Sequence, residues 1–174
     1  CKTYFRVADV TNSPFLNLHR ETVHPDWVDY NGHMNVAYYM LVFDHATDVL
    51  LDHIGLDKNY RENSGESVFV VEAHITYDNE VMQGERIAVT TQILDVDAKR
   101  MHVFHRMVRD GGEGELIATN ELMILYMNMN TRRSAPMPEA ILNKLEDMQH
   151  RGTALPRPVQ AGSTIGIRRP NKTT

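Results

Sequence analysis

The sequence predicts an α+β fold in which a curled antiparallel sheet wraps around one long central helix. Three observations carry this. One uninterrupted helical pattern runs from Val36 to Ile54, and four segments with the period-two alternation of strands follow it. The chain has 174 residues, 42% hydrophobic and 24% charged, which leaves room for one domain with a substantial core. A long helix followed by successive antiparallel strands buries its apolar stripe only by lying across their sheet. Such a lone sheet, of about five strands, leaves edges open, and pairing with a second copy is the usual remedy. A homodimer or homotetramer is therefore expected.

Residues 1–14 show no sustained period and read as a flexible N-terminal segment, followed by one domain over 15–150. Phe15 to Val23 alternates as a first strand, which His24-Pro25 closes. From Val36, the apolar residues Val36, Met40, Phe43, Ala46, Leu50 and Ile54 recur in steps of three and four, the spacing of one helix face. Asp44, Asp48 and Asp52 fall on another face and read as a solvated edge rather than a metal site. Asn35 suits the N-cap, Met34 can staple onto Tyr39, and Gly55 suits the C-cap.

Beyond Gly65 the period changes. Phe69, Val71, Ala73, Ile75 and Tyr77 are placed on one strand face, with Glu72, His74 and Thr76 opposite. Arg86 to Val96, Met101 to Arg109 and Leu116 to Met127 form three more strands. They are joined by the turns Asp97-Ala98-Lys99-Arg100 and Gly111-Gly112-Glu113-Gly114, giving a meander after the helix. Pro136 and Pro138 introduce a last helix, Glu139 to Gln149, with Ile141, Leu142, Leu145 and Met148 on its apolar face.

Charge narrows the partners. The net charge is −5, yet Arg151, Arg157, Arg168, Arg169 and Lys172 stand in an acid-free segment over 151–174, so the preceding residues carry −10. Nucleic acid is not expected as a ligand of so acidic a body. The Pro-, Gly- and Thr-rich segment reads as a flexible basic tail. No apolar run is long enough for a bilayer and no basic-then-apolar secretion pattern opens the chain, so a cytoplasmic protein without a membrane partner is expected. Cys1 is the single cysteine, agrees with a reducing compartment, and as a first residue in place of Met suggests a trimmed or engineered start. His102 and His105, three apart on a strand, point to opposite faces and cannot share a metal. His45 is expected to pair locally with Asp48. No metal and no cofactor are expected.

The segment Trp27-Val28-Asp29-Tyr30-Asn31-Gly32-His33-Met34-Asn35 carries the chemistry. It sets a carboxylate, Asp29, just ahead of a helix start, where unpaired N–H groups and the helix dipole can hold a developing oxyanion. Gly32 lets the backbone turn tightly so that a ligand comes close. The same residues also suit a plain Asp-rich turn.

With the Asp-x-x-Gly-His-x-Asn segment, the helix after Asn35, four following strands and the ending from Thr119 to Arg133, the chain resembles the hotdog-fold acyl-CoA thioesterases of the 4-hydroxybenzoyl-CoA thioesterase group over roughly residues 15–135. Asp44-His45-Ala46-Thr47-Asp48, Asp97-Ala98-Lys99-Arg100 and Arg133-Ser134-Ala135-Pro136 are similar to the subgroup associated with L-carnitine dehydrogenase. That resemblance implies hydrolysis of betainyl-CoA in carnitine breakdown; no dinucleotide-binding glycine motif is present for the dehydrogenase step. A non-catalytic acyl-CoA binder, a regulatory domain, or a thioesterase for another short or aromatic acyl-CoA are the alternatives, because fold alone does not settle function.

The resemblance implies that Asp29 attacks the thioester carbonyl or activates water against it while the Val36 N–H polarises the carbonyl oxygen. Asn35 would hold the loop or the water, and His33 would orient substrate or cap buried backbone. A betaine acyl group carries a quaternary ammonium, for which Trp27, Tyr30, Tyr38 and Tyr39 are candidate aromatic faces around Gly32. Lys99, Arg100, Arg132 and Arg133 are candidates for the CoA phosphates, although ordinary solvated turn charges suit them equally.

Overall fold

The computed structural model describes residues 16–110 and 114–167. The expected segment over 1–14 with Cys1, Phe15 of the predicted first strand, three residues of the Gly-rich turn, and Arg168, Arg169 and Lys172 of the expected tail lie outside them. The elements are β1 (Leu16–Thr22), α1 (Val36–Ile54), α2 (Lys58–Ser64), β2 (Glu66–Tyr77), β3 (Arg86–Val96), β4 (Arg100–Arg109), β5 (Leu116–Asn128), β6 (Arg133–Ser134) and α3 (Glu139–Gly152). The helix α1 and strand β3 have the bounds their periodicity predicts. Helix α1 starts where the Asn35 side chain accepts from Ala37 N, and stops where Gly55 takes a left-handed φ of 95°. Helix α2 was not foreseen; the Asp57 side chain caps it at Tyr60 N, 2.8 Å away.

The strands form one antiparallel sheet in the order β1-β3-β4-β5-β2, with β6 continuing beside the end of β5. The curled sheet wraps α1, as the predicted α+β class requires. The expected meander holds only for β3, β4 and β5. Both sides of β3 are taken, by β1 and β4, so β2 pairs instead with β5 and becomes an edge strand. This pairing is set between segments some fifty residues apart and leaves no local mark.

One half of the core joins Leu50, Leu51 and Ile54 of α1 to Ile93, Val103, Leu122 and Ile124 of the sheet and Ile141, Leu145 and Met148 of α3. The other half joins Met34, Tyr39, Val42, Phe43 and Ala46 to Val81, Ile87, Val89, Met107 and Ile117. The buried stripe of α1 therefore runs through Tyr39 and Val42 rather than Val36 and Met40, which stay 61% and 40% exposed. The sheet covers the side of α1 that carries Tyr39 and Val42, which leaves Val36 and Met40 on its uncovered side. Asp44, Asp48 and Asp52 are exposed, as expected.

Strand β2 also departs from its predicted alternation. The register slips between Val70 and Glu72, leaving Val71 unpaired in a bulge. Phe69, opposite Leu125, thus lies on the other face from Ala73, Ile75 and Tyr77. At the C-terminal end, α3 continues past Gln149 to Gly152, and Gln92 Nε2 donates to Gly152 O at 3.3 Å. Gly162 N–H then donates to both carboxylate oxygens of Glu121, at 3.0 and 2.8 Å. The boundary expected at 150/151 falls inside a helix. No helix among the described residues is long and apolar enough to cross a membrane.

His102 and His105 face opposite sides of β4, as predicted. His102 Nε2 lies 2.7 Å from Glu121 Oε1, while His105 is fully buried between Thr47 and Thr91. The Thr47 hydroxyl donates to Phe43 O at 2.8 Å, so towards His105 Nε2 it accepts, and the ring carries its proton there. Burial, with the nearby His19 adding to it, pushes the His105 pKa down to about 3. The unfolded chain takes up a proton near pH 6.5 that the folded chain refuses. The contribution of His105 to stability is therefore complete above that pH and declines on acidification, by at most about 1.4 kcal/mol per pH unit. In an NMR titration from pH 7.5 to 5 the His105 ring resonances should stay fixed; a midpoint near 6.5 would contradict its sealed environment.

Candidate active site

The loop over residues 24–35 is a small folded unit. Pro25–Trp27 form a single 3₁₀ turn, capped by His24 Nδ1 accepting from Asp26 N at 3.2 Å. Val28 and Met34 then pair as an antiparallel bridge, with Asp29 N–H donating to His33 O and Gly32 N–H to Asp29 O. Four residues reverse the chain, and Gly32 sits at φ 81°, a conformation that side chains with a Cβ rarely adopt. The loop is fastened by Met34 N–H donating to Val81 O and Asn35 N–H to Trp27 O, both at 2.9 Å. The predicted staple is present in substance: Met34 and Tyr39 are both buried in one cluster.

Within this unit Asp29 is half-buried. Its Oδ1 accepts from Asn31 N at 2.8 Å and His33 N at 3.3 Å. Among the described residues Oδ2 has no hydrogen-bond partner, so one oxygen shapes the turn while the other is unengaged. Asn35 Oδ1 is occupied by Ala37 N–H at 3.0 Å. The preceding amide, Val36 N–H, lies at the first helical position, where no intrahelical acceptor exists. A carboxylate oxygen, a free helix-start amide and the exposed Val36 side chain thus fall within the eight residues from Asp29 to Val36. His33 Nδ1 lies 3.4 Å from Glu80 Oε2, and the His33 backbone pairs with Met82. Glu80 and Met82 were missed in the sequence because the connection between β2 and β3 brings them here from fifty residues away.

The four aromatic candidates do not converge in one protomer. Trp27 and Tyr38 stack on one another with ring centres 5.7 Å apart and planes at 16°. Tyr39 turns into the core, edge-on to Tyr77, and burial raises the pKa of its hydroxyl. Tyr30 is 96% exposed. Neighbouring positions on a helix point about 100° apart, which separates Tyr38 from Tyr39.

The basic candidates stand elsewhere. Lys99 and Arg100 lie at the β3–β4 turn and Arg132 and Arg133 at the β5–β6 turn; both turns sit at one end of the sheet, linked through Arg100 opposite Leu125 and Arg133 opposite Asn128. The Asp29 loop sits at the other end, beside the start of β3 and the end of β2. Eleven residues of strand, about 35 Å, separate the two ends. Arg100 is also engaged: its Nε donates to Asp97 Oδ2 at 2.8 Å, and this guanidinium holds the Asp97 carboxyl at a pKa of about 2. Arg100 lines a groove of about 170 Å³ with Asp95, Asp97 and His102, whose two acids oppose a phosphate. Arg132 and Arg133 are exposed, Arg132 at φ 55°.

Comparison with known proteins agrees with this architecture. A model of the thioesterase-like superfamily matches residues 23–145. A betainyl-CoA thioesterase of Pseudomonas aeruginosa is 41% identical over 155 residues, covering 89% of this chain and 97% of that protein. An L-carnitine dehydrogenase/betainyl-CoA thioesterase of Agrobacterium fabrum is 40% identical over 162 residues, 93% of this chain but 33% of the fusion. Among solved structures, a Staphylococcus aureus protein in complex with CoA superposes with a TM-score of 0.81 at 33% identity, over 86% of this chain and 94% of that one.

Proposed function

The chain belongs to the thioesterase-like superfamily, and from that premise we propose that it hydrolyses betainyl-CoA to glycine betaine and free CoA, in the cytoplasm and without a cofactor. The observation that carries the reading is that one hydrogen-bonded loop holds both an unengaged Asp29 oxygen and, at the start of α1, the unengaged Val36 amide. In this mechanism Asp29, ionised, attacks the thioester carbonyl or takes a proton from the attacking water. The carbonyl oxygen gathers negative charge and is met by Val36 N–H at the positive end of α1. The thiolate of CoA then leaves, a good leaving group, so no metal or Ser-His pair is required; on the nucleophilic route water next cleaves the acyl–Asp29 anhydride, releasing glycine betaine and restoring the carboxylate. Asn35 keeps the helix start in place, and His33, held by Glu80, borders the same loop.

The site is completed by a second copy. Edge strand β2 exposes Phe69, Val70 and Val71 in succession, at 39%, 48% and 57%, and the exposed Tyr77 stands at its end. A long apolar edge of this kind pairs with another chain. In a two-fold antiparallel pairing of β2 with its copy, the Tyr77 end of one strand meets the Glu66 end of the other. Glu66 is opposite Asn128, just before the Arg132–Arg133 turn. The basic turn of one protomer is thereby carried toward the Asp29 loop of the other, where CoA phosphates would need it. Lys99 and Arg100 stand at that same end.

The test is release of free thiol from betainyl-CoA, 4-hydroxybenzoyl-CoA and fatty acyl-CoAs. The highest kcat/KM is expected with betainyl-CoA. Preference for another acyl group would replace the substrate, and no release from any of them would leave an acyl-CoA binder. Trp27→Ala and Tyr30→Ala should lower kcat/KM for betainyl-CoA about 2- to 30-fold more than for acetyl-CoA, the range a cation–π contact supplies. Equal losses on both substrates would remove these rings from ammonium recognition.

A further inference from the structure

At the sheet edge opposite β2, β1 meets α1 in a cluster that the hydrolase reading does not use. His19 and Glu21, two residues apart on β1, share a face, and His45 reaches them from the middle of α1. His19 Nε2 lies 2.9 Å and His45 Nδ1 2.6 Å from the same oxygen, Glu21 Oε1. The two rings meet edge to face with centres 6.0 Å apart. This pairing replaces the local one expected between His45 and Asp48: the half-buried Glu21 carboxylate is the stronger attraction for an imidazole than a solvated aspartate.

Two features go beyond a histidine–carboxylate hydrogen bond. Glu21 Oε2 is buried and has no hydrogen-bond partner, an anionic acceptor taken from water and given nothing in return. One ligating atom each of His19, Glu21 and His45 also falls within 4.8 Å of the others, and no other group of three does so among the described residues. Ligands sharing an ion at about 2.0–2.2 Å stand at most about 4.4 Å apart, so the cluster closes onto one ion with side-chain shifts of a few tenths of an ångström. The side chains of His19 and Glu21 are 14% and 17% exposed while that of His45 is 39% exposed, so the cluster is walled on one side and open on the other.

We propose that His19, Glu21 and His45 form a binding site for a divalent transition-metal ion, Zn²⁺ by preference. Two imidazoles and one carboxylate are the donor set of borderline ions rather than of Ca²⁺ or Mg²⁺. Each nitrogen facing Glu21 must offer the ion a lone pair. In a neutral ring the proton then resides on the other nitrogen, Nδ1 of His19 or Nε2 of His45; a protonated ring releases one proton on binding. The ion would engage the orphaned Oε2, take solvent at its open positions, and clamp edge strand β1 to the central helix. The proposal does not depend on the catalytic reading, because the cluster lies at the other sheet edge.

The full chain, stripped with EDTA, is titrated with ZnCl₂ and with CoCl₂. One saturable site per chain is expected, with a rise in melting temperature on Zn²⁺ addition and visible d–d absorption on Co²⁺ addition. Glu21→Gln and His45→Ala should each weaken Zn²⁺ binding at least about 10-fold. Glu21→Gln retains a side-chain oxygen to accept from a histidine, and the metal-free melting temperature reports whether either variant still folds. On the unmodified chain, Co²⁺ should broaden the ring resonances of His19 and His45 ahead of those of the other seven histidines. Absence of saturable binding at micromolar Zn²⁺, equal affinity in folded variants, or broadening confined to other histidines would each overturn the site.

Discussion

Replacing Asp29 by Asn should lower kcat for thioester hydrolysis about 10²- to 10⁴-fold, the range associated with losing a positioned acid–base or nucleophilic group, with no fall in melting temperature. Both parts of the expectation follow from how the two carboxylate oxygens are used. Oδ1 accepts from Asn31 N–H and His33 N–H, and an asparagine carbonyl can accept the same two bonds. Oδ2 becomes an amide nitrogen, which carries no charge, attacks nothing and takes no proton. Asp29→Ala loses the turn's hydrogen bonds as well, so it should lose activity and stability together. Measuring thiol release and thermal unfolding on both variants separates the turn from the chemistry. Wild-type turnover by Asp29→Asn would refute the assignment.

The double substitution Val70→Lys, Val71→Lys on β2 should convert a dimer to a monomer and reduce hydrolysis by at least about 100-fold, the loss a misplaced substrate-holding group can cause. Strand β2 already has one neighbour, β5, so its other edge is free, and charged edge residues are a common device by which proteins prevent such pairing. The twelve residues of β2 span about 40 Å, and Asp29 lies at one end of the sheet with Arg132 and Arg133 at the other. A monomer cannot present both to one CoA thioester. Light scattering after size exclusion reads the mass, and far-ultraviolet circular dichroism reads whether the sheet survives. A folded monomer with full activity would confine the site to a single chain.

What could be read of the site followed its distance along the chain. Asp29, Gly32, Asn35 and Val36 lie within eight residues of one another on one locally bonded loop, and their arrangement was visible as a motif. The Trp27–Tyr38 stack, the departure of Tyr39 into the core and the exposure of Tyr30 were not visible, because each depends on which side of α1 the sheet covers. Glu80 and Met82 come to the loop through the β2–β3 connection and carry no pattern of their own.

By itself the sequence determined the α+β class, the bounds and caps of α1, the extent of β3 and the placement of a carboxylate ahead of a helix start. These depend on periodicity, capping and turn chemistry, which act within a few residues. Tertiary structure alone decided that β2 pairs with β5, that the basic turns stand far from Asp29, and that His45 turns to Glu21 instead of Asp48. Those outcomes come from competition among distant segments for the same sheet edges and buried partners, and no local preference distinguishes the winner.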